Sequence, residues 1–135
     1  MATESLDIEV LGIDLLVPDA PTALEVRELC VLALASAGIG EGHMAVEFVG
    51  EERIQSLNSE YRRRDAPTDV LSFGVDEDGI PAGPRELGDI VICPEHTTDL
   101  REAVVHGALH LTGMDHEVDD GEMLALQSEL MRWVR

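Results

Sequence analysis

A chain of 135 residues that is 44% apolar has the material for one hydrophobic core, which excludes a multidomain machine. Its charge is lopsided: 28 acidic residues against 9 basic ones, all nine of them Arg, give a formal net charge of −19 and exclude sequence-blind coating of DNA by counterion release. The only aromatic residues are Phe48, Tyr61, Phe73 and Trp133, too few for a row of rings that stacks successive bases, so RRM and OB-type readings fall as well.

We expect a single domain over residues 1–135. Met1 to Glu9 has neither a basic start nor an apolar core, and the longest apolar run, Leu29 to Ala35, is too short to span a bilayer. A cytoplasmic protein without a membrane partner is the expectation. In a reducing compartment the isolated Cys30 and Cys93 read as free, buried thiols.

In chain order, Ile8, Val10 and Leu16 suggest a first strand, closed by Pro18 and Pro21. Thr22 to Ala37 carries Leu24, Leu29, Leu32 and Ala35 without an interrupting Gly or Pro, and Gly38 stops it: a buried helix. Met44 to Val49 is a β-prone run ending at Gly50. Glu51 and Glu52 then open a helix with Ile54, Leu57 and Tyr61 at helical spacing, their charges suiting the positive end of its dipole. Val70 to Val75 and Ile90 to Cys93 read as strands on either side of the Gly- and Pro-rich stretch Asp78 to Pro84, most simply an antiparallel hairpin. Two helices follow, Thr97 to Thr112 and Asp119 to Val134. The order β-α-β-α-β-β-α-α predicts an α+β fold, a small mixed sheet of about four strands packed with helices.

Chemistry concentrates in His106-Gly-Ala-Leu-His110-Leu-Thr-Gly113-Met-Asp-His116. Residues four apart on a helix share a face, so His106 and His110 can share a metal. Gly113 can take the left-handed conformation that ends the helix and returns the chain, bringing His116 in from the side. Neutral imidazoles favour Zn²⁺ over Mg²⁺ or Ca²⁺, with Ni²⁺ and Co²⁺ as competitors. Three protein ligands leave a fourth position open, as in a catalytic site; Cys93 or His96 as fourth ligand would close the shell into a structural one.

The same spacing marks a zincin-like metal helix, H-E-x-x-H-x-x-G-x-x-H, whose Glu deprotonates a water for peptide hydrolysis. Position 107 is Gly, so that base is missing; what remains is a metal-water site for which a phosphodiester is a plausible substrate, since a Lewis acid can neutralise a nonbridging oxygen without such a base. Asp115 and Glu117, beside the last ligand, are candidates for a proton acceptor or for orienting an imidazole, against the plainer reading of solvated carboxylates. The run Arg62-Arg63-Arg64 places three of the nine basic residues together, suited to phosphate oxygens or to pairing with the abundant carboxylates.

The histidine string, together with Asn58-x-x-Tyr61-Arg62-x-x-Asp65-x-Pro67-Thr68-Asp69-Val70-Leu71-Ser72-Phe73 and Leu87-Gly88-Asp89-Ile90-Val91-Ile92, resembles the YbeY family of bacterial metal-dependent endoribonucleases. The resemblance spans about Leu57 to Glu117. It implies a single-strand-type endoribonuclease domain acting in ribosomal RNA maturation and ribosome quality control. It further implies one Zn²⁺ held by His106, His110 and His116, an Arg62 that acts on the substrate phosphate, and a contact between the region of Asp89 and a protein of the small ribosomal subunit. The alternative is a noncatalytic ribosome-assembly factor in which zinc only fixes the helix and turn.

Overall fold

The computed structural model describes residues 6–75 and 85–134. Within them the chain forms β1 (Leu6–Leu11), α1 (Ala23–Ala35), β2 (Gly42–Phe48), α2 (Glu51–Arg62), β3 (Val70–Gly74), β4 (Glu86–Ile92), α3 (Leu100–Leu111) and α4 (Glu122–Val134), with short 3₁₀ turns at Ile13–Leu15 and Pro94–His96. The α+β expectation holds: four strands form one mixed sheet in the order β1-β2-β4-β3. β1 and β4 each run parallel to β2, while β3 runs antiparallel to β4 at the edge. That antiparallel pairing was expected; the connecting stretch Asp78 to Pro84 lies outside the described residues.

Several boundaries differ from the sequence reading, each for a local reason. Leu16 is not part of β1, because Gly12 takes φ 76° with its α-carbon face against the Phe48 carbonyl, where an added Cβ would lie 2.1 Å away, and the chain turns off the sheet there. Helix α3 starts at Leu100 rather than Thr97, because the Asp99 side chain accepts from the Glu102 amide at 3.1 Å and caps it. Helix α4 starts at Glu122, since the Asp119 carboxylate takes the amides of Gly121 and Met123 at 2.8 and 3.0 Å. Strand β4 begins four residues before the apolar run, its register with β2 shifting between His43 and Met44.

Alternation along the strands sends side chains to two faces. One face, with Ile8, Met44, Val46, Phe48, Ile90 and Ile92, packs under α1, α3 and α4 in the main core. There Phe48, Leu34 and Leu109 are fully buried, each contributing roughly 1.5–3 kcal/mol from removal of apolar surface from water. The Arg101 guanidinium grips Glu25 through two bonds of 2.6 and 3.1 Å, tying α3 to α1. On the other face α2 covers only the side formed by β3 and β4, where its Ile54 and Leu57 pack on Leu71, Val91 and Cys93. Cys30 and Cys93 are free and buried, as expected. No helix among the described residues is long and apolar enough to cross a membrane.

Candidate metal centre and cleft

His106 and His110 stand one turn apart on α3. Gly113, just beyond its end, takes φ 102° with open space around it, so its requirement is conformational rather than steric. The returning turn is pinned by the Asp115 carboxylate, which accepts from the Glu117 amide at 3.0 Å, while the Asp115 carbonyl accepts from Val118 and Asp119. His116 is thereby brought against the helix. The three ring centroids are 4.8, 5.1 and 5.2 Å apart in pairs, and one nitrogen from each ring lies within 4.8 Å of the others. All three rings are half-buried.

The donor set fits a metal ion. The Nδ1 atom of His106 meets the Gln127 Oε1 atom at 2.8 Å, and that of His110 meets the Met114 carbonyl at 3.0 Å. Burial, reinforced by the neighbouring His106, holds His110 below the ordinary imidazole pKa, so it is neutral at pH 7 with a lone pair to give. The alternative fourth ligands stand elsewhere: Cys93 is packed beneath α2, and His96 pairs with Glu51 at 3.2 Å. Gly107 faces the sheet, where an added Cβ would come within 2.6 Å of Ile90 Cγ2. A side chain at position 107 would therefore have to displace Ile90 or lift α3 from the sheet.

Opposite the histidines lies Arg62, the last residue of α2. Its placement depends on Asn58, the one buried polar residue among those described, whose Nδ2 donates to the Ala66 carbonyl at 2.8 Å. The Asn58 carbonyl accepts from Arg63 and Arg64, and Arg63 takes a left-handed φ of 58°, ending the helix. Arg62 then reaches around the edge strand and donates from Nη2 to the Ser72 carbonyl at 3.1 Å. The result is a cleft of about 590 Å³ lined by Arg62, Asp69, Ser72 and the three histidines, with Asp115 and Glu117 at its margin.

Asp69 and Ser72, legible in the sequence only as parts of a motif, are thus cleft residues. Asp69 Oδ1 accepts from the Val70 amide at 2.8 Å, and Ser72 Oγ donates to the Gly107 carbonyl at 3.2 Å. Gln127 left no signal, because the pattern of α4 reveals only its apolar face. Asp89 is not brought to this cleft. It is exposed on β4, opposite Ala45 and Phe73 in register, and lines a separate groove of about 390 Å³ beside α2 with Glu47, Arg53 and Tyr61.

Fold and site together define an α+β protein whose three-histidine group is able to hold a metal ion beside an arginine. The chain belongs to the endoribonuclease YbeY family, whose model matches residues 19–135. It is 46% identical over 114 residues to the endoribonuclease YbeY of Rubrobacter xylanophilus, covering 80% of this chain and 82% of that one. The Macrococcus caseolyticus protein of the same name is 37% identical over 132 residues, covering 84% and 86%. The solution structure of a Thermotoga maritima protein matches with a TM-score of 0.54 and 29% identity, over 91% of this chain and 85% of that one.

Proposed function

We propose that residues 1–135 act as one zinc-dependent, single-strand-type endoribonuclease domain in ribosomal RNA maturation and ribosome quality control in the cytoplasm. The observation that carries the reading is the convergence of His106, His110, His116 and Arg62 on one cleft, in a chain whose curated relatives are named endoribonucleases.

His106, His110 and His116 hold one zinc, the ion best matched to three imidazoles without a thiolate. A zinc bound there supplies a Lewis acid for a phosphodiester oxygen. Arg62 is the catalytic residue facing it. Its contact with the Ser72 carbonyl holds the guanidinium at the cleft wall, where the remaining N–H groups stabilise charge that develops on the phosphoryl oxygens.

Arg62, Arg63 and Arg64 are a local positive feature on a chain of net charge −19, so affinity for free RNA is limited and the substrate is best presented by a partner. The small ribosomal subunit is that partner. Asp89, with Glu47 in the same groove, offers an acidic rim to a cationic segment of a small-subunit ribosomal protein. The groove and the metal cleft lie on opposite faces of the sheet, which lets both be engaged at once.

The test compares cleavage of one ribosomal RNA precursor, free and within immature small subunits, by zinc-loaded protein at matched salt. Faster cleavage within subunits is expected. Absence of turnover on either would favour a noncatalytic assembly factor, and faster cleavage of naked RNA would leave a stand-alone nuclease.

A further inference from the structure

Helix α4 carries none of the three histidines, yet it is packed against α3 through the buried Met123, Leu130 and Met131, and it sends one polar side chain toward the metal group. That side chain is Gln127, whose Oε1 atom stands 2.8 Å from Nδ1 of His106. With Oε1, which can only accept, turned to the ring, the contact is a hydrogen bond when the neutral ring carries its proton on Nδ1. Nε2 then keeps its lone pair. Were the proton on Nε2 instead, His106 would have no donor atom to offer the cleft.

His110 meets the same requirement differently, its Nδ1 facing the Met114 main-chain carbonyl at 3.0 Å. In both rings an oxygen acceptor stands at Nδ1, but only for His106 does the acceptor come from a side chain on another helix, 21 residues away. We propose that Gln127 is a positioning residue: its amide oxygen fixes His106 as the Nδ1–H tautomer, aims Nε2 into the cleft, and so couples the docking of α4 to metal affinity. The coupling to metal rests on the metal-centre reading above, whereas the tautomer does not.

The arrangement has a physical precedent in metal sites generally, where the second nitrogen of a ligating imidazole is held by an acceptor whose loss costs about 10–100-fold in affinity. Gln127→Met keeps the length and apolar stem of the side chain and removes the acceptor. Gln127→Glu keeps an acceptor and makes it anionic, raising the basicity of the ring.

The experiment reads two quantities on the full chain: ring tautomers in the metal-free protein by ¹⁵N–¹H correlation of the histidines, and zinc affinity by competition with a chelating dye. In the wild type, His106 should be the Nδ1–H tautomer. Gln127→Met should populate the Nε2–H form and weaken zinc binding about 10–100-fold. Gln127→Glu should retain Nδ1–H and bind zinc at least as tightly as the wild type. Unchanged tautomer in Gln127→Met, or a Glu variant as weak as the Met variant, overturns the proposal. If the Met variant does not fold, the Glu variant still decides, because loss of the Nδ1–H form there contradicts it. A wild type that shows the tautomer but binds no zinc would sink the metal reading alone.

Discussion

The Arg62 guanidinium reaches from the end of one helix around the edge of the sheet to the Ser72 carbonyl at 3.1 Å, entering a cleft whose other wall is the histidine helix. The planar fork bonds the carbonyl and leaves further N–H donors, which in the proposed function meet a phosphate together with the positive charge. Arg62→Lys should therefore cut RNA cleavage by about 10²-fold or more while leaving zinc content intact. Turnover and metal analysis of the same preparation check it, with Arg63→Lys as the control. Greater sensitivity at Arg63 would move the role to that residue.

Removing His110 takes one imidazole from the three-histidine group. His110→Ala should abolish tight zinc binding, because two imidazoles form an incomplete shell. Metal analysis after gel filtration reads it directly. One equivalent of zinc retained at wild-type affinity would refute the assignment.

Gly107→Ala adds one methyl group where Ile90 Cγ2 stands 2.6 Å away. Helix α3 must lift from β4 or Ile90 must leave its rotamer, and either response strains the Ser72 Oγ contact to the Gly107 carbonyl. A stability loss of about 1–3 kcal/mol is expected, read from the urea midpoint. A change within ±0.5 kcal/mol would mean that the helix is not held as tightly as the contact indicates.

On the exposed sheet face, His43 bridges three strands, with Nδ1 3.1 Å from Glu86 and Nε2 3.0 Å from Glu9. The bonds to Glu86 and then Glu9 push its pKa from the ordinary 6.5 up to about 9. A raised folded-state pKa stabilises the protein fully below the unfolded value, and that contribution is lost as pH rises through about 9. The urea midpoint of the wild type should accordingly exceed that of His43→Gln most at pH 6, with the gap narrowing between pH 6.5 and 9 and closing by about pH 10. A constant gap across that range would show that the pairs contribute through packing rather than charge.

The histidine group was legible in the chain because its information is local. A four-residue interval on a helix and a glycine able to turn left-handed place two rings on one face and return a third, whatever the rest of the molecule does. Element order was legible for the same reason, since apolar periodicity and punctuation by Gly and Pro act over a few residues. Boundaries slipped where a single side chain decided them, as Asp99 and Asp119 do by capping their helices.

Sequence alone thus determined the three-histidine group, the helix that bears two of its members, and the mixed α+β composition, all of which follow from short-range geometry. Only the tertiary structure decided that β4 lies between β2 and β3, that Arg62 comes around the sheet edge to face the histidines while Asp89 is turned to the other face, and that Gln127 from the last helix meets His106. Those relationships join residues far apart in the chain. They are set by which faces bury against which, a choice made by the summed packing of the whole core rather than by any motif.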